Sequence, residues 1–135
     1  MQLRQIATVL LTLPDGRIVF QRRGPKAPIS PNLLGFFGGH VEPGESNEAA
    51  ARRELGEETS LNVNEVSPKH LADYIFTLPN GRQISFHLYQ GTIKDLDFKV
   101  FEGERAESYA REEALARDDL TINARHALTN IVKGA

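Results

Sequence analysis

No cysteine occurs among the 135 residues. Disulfide frameworks, thiolate nucleophiles and cysteine-ligated zinc are therefore excluded. A run of about 18 apolar residues, the length a bilayer-spanning helix requires, is also missing, so no membrane partner is expected. Charge of either sign is scarce in excess: 16 Lys and Arg face 18 Asp and Glu, a formal net charge of −2. Nothing basic and extended is present to track a polynucleotide, so nucleic acid is not an expected partner. Any phosphate-bearing ligand must be held locally, and at an acidic site cations would have to mediate the contact. The opening stretch MQLRQIATVLLTLPDGR is apolar only from Ile6 to Leu13 before it enters a turn. It reads as a strand rather than a signal peptide, and a cytoplasmic location is expected.

What remains is an ordinary globular composition, 40% hydrophobic and 25% charged, in a length suited to one domain, residues 1–135, with a real core. Leu3 to Leu13 is rich in β-branched and aliphatic residues and predicts a buried strand. Pro14-Asp15-Gly16-Arg17 predicts a turn and Ile18 to Arg22 the returning strand. Gly24 to Pro31, with three prolines, predicts a surface loop, and Asn32 to Phe37 leads into a glycine turn at Gly38-Gly39. Val66 to Leu78 and Gln83 to Ile93 predict a second hairpin around Pro79-Asn80-Gly81-Arg82. Lys99 to Phe101 and Ala106 to Tyr109 read as short strands around Glu102-Gly103-Glu104. Arg111 to Arg117 reads as a brief helix. Ile122 to Val132 reads as an amphipathic one, with Ala124, Leu128 and Ile131 or Val132 inward. The fold class is α/β: a mixed sheet with a central helix and a C-terminal helix.

The central helix is the unusual element. Ser46 is a good N-cap, and the alanines that follow propagate the helix and let it approach the sheet closely. Residues 42–58 hold six Glu against two Arg. At about 100° per residue, Glu54, Glu57 and Glu58 share one face, while Ala50, Ala51 and Leu55 lie on another. Carboxylates at this spacing repel one another. Three readings stand open on this geometry: a solvated helix face, an interface that repels anions, or a site for a hard divalent cation, which clustered carboxylate oxygens suit. The preceding glycines would let backbone carbonyls approach the same ion.

Gly39 to Leu61 resembles the nudix box, G-x5-E-x7-R-E-U-x-E-E-x-G-U, where U is a bulky aliphatic residue. Gly39, Glu45, Arg53, Glu54, Leu55, Glu57, Glu58 and Leu61 match at the required spacing, eight of nine specified positions. Ser60 stands where the pattern has its late glycine, and that glycine normally eases the chain's exit from the helix. The resemblance, to MutT-like nudix hydrolases, implies a nudix-type α/β/α sandwich. It also implies a pyrophosphohydrolase acting on nucleoside diphosphate derivatives with Mg²⁺ or Mn²⁺. By position, Glu54, Glu57, Glu58 and the carbonyl of Gly38 would hold the metal, with Glu102 completing the set from its distant loop. Arg53 and Glu45 would orient these carboxylates. Glu57 is the candidate general base, with Glu58 and Glu102 as alternatives.

Substrate choice is less legible. Arg22 and Arg23 follow the second strand and are candidates for reaching phosphates. Phe36, with Phe37, Tyr74 and Phe86, is a candidate to stack on a base, though aromatics at strand positions more often belong to the core. The histidines His40, His70, His87 and His126 show no ligand spacing and read as structural or surface residues. A nucleoside triphosphate, oxidised forms included, is the leading substrate class. ADP-ribose or a nucleotide sugar is the alternative, as is a sensor that binds a nucleotide without cleaving it. The protein would act as a monomer or a homodimer.

Overall fold

Residues 3–132 are described by a computed structural model; Met1, Gln2 and residues 133–135 of the expected domain lie outside them. Along the described chain the elements are β1 (Arg4–Thr12), β2 (Ile18–Arg22), β3 (Leu34–Gly35), β4 (Phe37–His40), α1 (Asn47–Glu58), α2 (Val63–Val66), β5 (Lys69–Thr77), β6 (Gln83–Thr92), β7 (Arg105–Tyr109), α3 (Arg111–Leu115) and α4 (Ile122–Asn130).

β1 is the axis of the sheet. It runs parallel to β6 over its whole length, from Arg4 opposite Ile84 to Thr12 opposite Thr92. Its other edge is divided: β4 pairs antiparallel with Ile6 to Val9, and β2 with Leu11 and Thr12. β5 lies antiparallel outside β6, and β2 carries β7 along its length and β3 at its end. Because side chains alternate across a strand, β1 feeds two cores. Ala7, Val9 and Leu11 pack with Ala50, Ala51 and Leu55 of α1. Leu10 faces the opposite layer, where Phe20, Leu34 and Leu88 meet Ala124, Ala127 and Leu128 of α4. Helices thus cover both faces of a mixed sheet, the expected α/β/α sandwich, and this explains why β1 reads as a nearly continuous apolar run.

Several local expectations change. Gly38-Gly39 is not a turn; it lies inside β4, hydrogen-bonded to β1. Lys99 to Phe101 makes only an isolated bridge, Thr59 to Val100. Val66 closes α2, a one-turn helix capped by the Asn62 side chain, and β5 starts later, at Lys69. The last two helices end earlier than expected, at Leu115 and Asn130. In each case local hydrogen bonds at the ends, which periodicity does not encode, set the boundary.

Candidate active site

α1 begins where Ser46 Oγ accepts the Ala49 N–H at 3.1 Å. Its small face (Ala50, Ala51, Leu55) is fully buried against the sheet, and that close seat carries Glu54 and Glu58 onto β4. There Gly39, the first residue of the box, and Gly38 before it have steric work to do. At Gly38, where φ is +152°, an added Cβ would lie 2.2 Å from the Ala7 carbonyl oxygen; at Gly39 it would lie 2.6 Å from the Glu54 carboxylate. At Gly38 a side chain would strike the β1 backbone, and at Gly39 it would displace the Glu54 carboxylate.

Glu58 is the centre of the arrangement. Only 2% of it is exposed. The Gly38 N–H donates to its Oε1 at 3.1 Å, whereas its Oε2 is buried without a partner. Burial first, then the adjoining Glu54 carboxyl and the charge of Glu102, push the Glu58 carboxyl well above the usual carboxylate range. A buried acid with an orphaned oxygen and two further acids against it lacks positive charge. Among the described residues no three acidic or histidine side chains stand drawn together around one point as a finished cage. The donor set is nevertheless all oxygen, and Glu58 Oε2 keeps a lone pair without a partner, so the residues fit a hard divalent cation by their chemistry.

Arg53 organises the exposed side of the same helix. Its Nε and Nη2 grip Glu45 at 2.7 and 2.9 Å, a bidentate pair. Its Nη1 reaches Glu54 and Glu57, each at 3.0 Å, and Nη2 also donates to the His40 carbonyl at 3.0 Å. These bonds hold the Glu45 carboxyl down at about 2 and tie the loop before the helix to its last turn. The expected orienting roles of Arg53 and Glu45 therefore have a geometry. Glu57 is the exposed member of the set: its side chain is 54% exposed and shares Arg53 Nη1 with Glu54.

Glu102 arrives from far along the chain. The Phe101 N–H donates to the Glu58 carbonyl at 2.7 Å, and the Glu104 N–H to the Arg22 carbonyl at 2.8 Å. Gln21 Nε2 donates to the Glu102 carbonyl at 2.7 Å. Sequence reasoning missed Gln21. Its signal was a lone amide directly after the apolar run Ile18-Val19-Phe20, buried to 3% exposure, where a polar side chain needs a partner.

Two of the expected substrate contacts are corrected. The Arg22 guanidinium is turned inward, bonded to both oxygens of Glu107 at 2.7 and 2.9 Å and to Asp119 at 2.9 Å, so it does not extend to a phosphate. Phe36 is buried and stacked on Phe20, ring centroids 5.9 Å apart, in the layer under α4. Arg23 is half-buried in the loop that follows β2, its Nε donating to the Ile29 carbonyl at 2.8 Å. The histidines are structural or peripheral as expected: His87 bonds Asp73 and Gln5, and His126 packs on Tyr74 and Phe76.

Comparison with known proteins agrees with this geometry. The nucleoside triphosphatase NudI of Salmonella typhimurium is 28% identical over 122 residues, 84% of this chain and 86% of that protein. An RNA pyrophosphohydrolase of Caulobacter vibrioides is 47% identical over 58 residues, which is 43% of this chain and 33% of that protein. The crystal structure of a MutT protein from Methanosarcina mazei superposes with a TM-score of 0.80 at 20% identity, over 93% of this chain and 90% of that one, and establishes the fold. The NUDIX domain model matches residues 2–131, nearly the whole chain, and with the acidic helix seated on its glycine strand this protein belongs to the nudix family of pyrophosphohydrolases.

Proposed function

We propose that this enzyme hydrolyses a pyrophosphate bond of a nucleoside triphosphate, oxidised forms included, with Mg²⁺ or Mn²⁺ held by Glu54, Glu57, Glu58, Glu102 and the carbonyl of Gly38. The observation that carries the reading is the buried Glu58 with its unpartnered oxygen beside two further acids. The substrate class is supported by the similarity to a nucleoside triphosphatase along most of the chain. Bound there, the cation would neutralise phosphate charge and acidify water, the main demands of phosphoryl transfer.

The chain's own residues supply positioning and proton transfer. Glu57 faces solvent while paired with Arg53, and as general base it would take a proton from the attacking water and return it to bulk. The water oxygen bonds to one phosphorus, the bridging P–O bond breaks, and the bridging oxygen leaves with the other phosphate. Arg53 keeps Glu54 and Glu57 at fixed distance through the step, with Glu45 holding the guanidinium in place. Arg23, beyond the inward-turned Arg22, is the remaining arginine candidate for a phosphate. The protein would work in the cytoplasm as a single domain, as a monomer or homodimer.

Incubation with Mg²⁺ and a panel of nucleoside triphosphates, ADP-ribose, nucleotide sugars and capped RNA, with phosphate and pyrophosphate release measured, tests the assignment. Turnover fastest on triphosphates is expected. Fastest turnover on ADP-ribose would transfer the assignment to that class, and binding without turnover on any substrate would make the protein a sensor. Glu57→Gln should lower kcat at least about 10²-fold, the scale of a lost general base, with the fold intact. Unchanged activity in that variant would remove Glu57 from the mechanism.

A further inference from the structure

The exit from α1 departs from the box pattern at Ser60, and the structure gives that serine two bonds to the segment that delivers Glu102. Its Oγ accepts the Lys99 N–H at 2.8 Å, and its own N–H donates to the Lys99 carbonyl at 3.0 Å. One residue on, Thr59 bridges Val100, and the Phe101 N–H reaches the Glu58 carbonyl at 2.7 Å. The last residues of the box are thus laced to 99–101 as a short antiparallel ladder. On the far side Gln21 holds the Glu102 carbonyl at 2.7 Å. Glu104, two residues later, bonds the Arg22 carbonyl at 2.8 Å. Glu102 sits between the two sets of bonds.

A glycine at position 60, as in the family pattern, would keep the backbone bond and lose the hydroxyl one. The Lys99 N–H would then be left without its acceptor, and the ladder would lose the bond farthest from Glu58. The serine in place of the pattern's glycine therefore adds a bond between the helix exit and the Glu102 segment.

We propose that Ser60 and Gln21 are positioning residues that clamp the Glu102 loop from its two sides, so that the Glu102 carboxyl is presented to Glu58 before any ligand binds. The proposal rests on the reading of Glu102 as part of the cation cradle. Neither residue touches the substrate; each acts only through Glu102, as groups behind a metal ligand commonly do.

The test uses Mn²⁺ alone, without nucleotide, titrated into the full chain and followed by electron paramagnetic resonance. Ser60→Gly is expected to weaken Mn²⁺ binding about 10-fold, the low end for loss of a group behind a metal ligand, and Ser60→Thr, which keeps the hydroxyl, to restore it. Gln21→Met should act in the same direction. Amide exchange at Lys99 should quicken in Ser60→Gly while the thermal midpoint stays put. In a Glu102→Gln background, Ser60→Gly should change Mn²⁺ affinity no further, because the coupling runs through Glu102. An equal loss in both backgrounds overturns the proposal, as does an unchanged affinity in Ser60→Gly. Should the Mn²⁺ pattern appear in a protein that cleaves no nucleotide, the clamp stands and only the hydrolase reading falls.

Discussion

Two carboxylate clusters in this molecule are handled in opposite ways. Around Arg22, Glu107 and Asp119 are largely buried, and every acid is answered. Arg22 bonds both, Arg105 adds to Glu107 at 3.0 Å, Arg117 adds to Asp119 at 2.9 Å, and the Tyr109 hydroxyl donates to Glu107 at 2.6 Å. Both carboxyls are held below their ordinary range, Glu107 at about 2, chiefly by Arg22 and Arg117 respectively. Around Glu58, acids adjoin acids, one oxygen has no partner, and the shift is upward. Arg53 bonds Glu45, Glu54 and Glu57, and none of its hydrogen bonds goes to Glu58. The first cluster is complete as folded and ties β2, β7 and the segment before α4 together. The second leaves Glu58 with no internal counter-charge among the described residues. Burial alone does not distinguish a structural acid from a functional one; the presence or absence of an internal counter-charge does.

Breaking each cluster should separate the two roles. The largest effect belongs to Glu58→Gln. Activity should fall at least about 10²-fold, as for loss of a metal-site or acid–base group, while thermal stability holds or rises because a buried, crowded acid is removed. Saturating Mn²⁺ or Mg²⁺ should stabilise the unsubstituted protein by about 2.7 kcal/mol at a hundred times Kd, and this gain should vanish in the variant. A calorimetric scan with and without metal reads both. A large loss of stability in metal-free Glu58→Gln would show that the acid is structural after all.

Next comes Arg22→Met, which leaves Glu107 and Asp119 short of their shared partner. Stripping one partner from a fully buried pair costs about 3–5 kcal/mol. Because these side chains keep 13–23% exposure, a loss of about 2–3 kcal/mol in urea unfolding is expected, with Mn²⁺ affinity unchanged. A reduced Mn²⁺ affinity with stability intact would instead place Arg22 at the active site.

The pH response of stability should carry the mark of the paired cluster. Glu107 is held at about 2 against 4.5 when free, so the unfolded chain binds the proton first. The stabilisation is therefore present above about pH 4.5 and declines as pH falls toward 2. In Arg22→Met this acid-side slope should flatten, which unfolding curves between these limits will show; an unchanged slope would assign it to other groups. The smallest effect is expected from Phe36→Leu, a repacking that should cost under about 1.5 kcal/mol and leave the KM for any nucleotide as it was. A raised KM would return Phe36 to the substrate.

Legibility in the sequence followed the range of the interactions. The box could be read because its logic is local: Ser46 caps, the alanines seat the helix, and Glu54 and Glu58 fall on one face four residues apart. Glu102 was within reach only by resemblance, since its approach depends on Gln21 and Ser60, residues 81 and 42 positions away in the chain. Arg22 and Phe36 were misplaced because adjacency to the site in sequence says nothing about which face of β2, or which layer of the sandwich, a side chain enters. Gly38 and Gly39 were expected to turn and instead pair with β1, since glycine serves a tight turn and a close strand approach equally well.

By itself, then, the sequence determined the family chemistry: an acidic helix face with its glycine approach, spelled by spacing that local geometry converts directly into a site. Only the tertiary structure decided which acids lack a counter-charge. That property is set by which guanidinium each carboxylate meets after strands from opposite ends of the chain come together. It made Glu107 and Asp119 into fasteners and left Glu58 without an internal counter-charge.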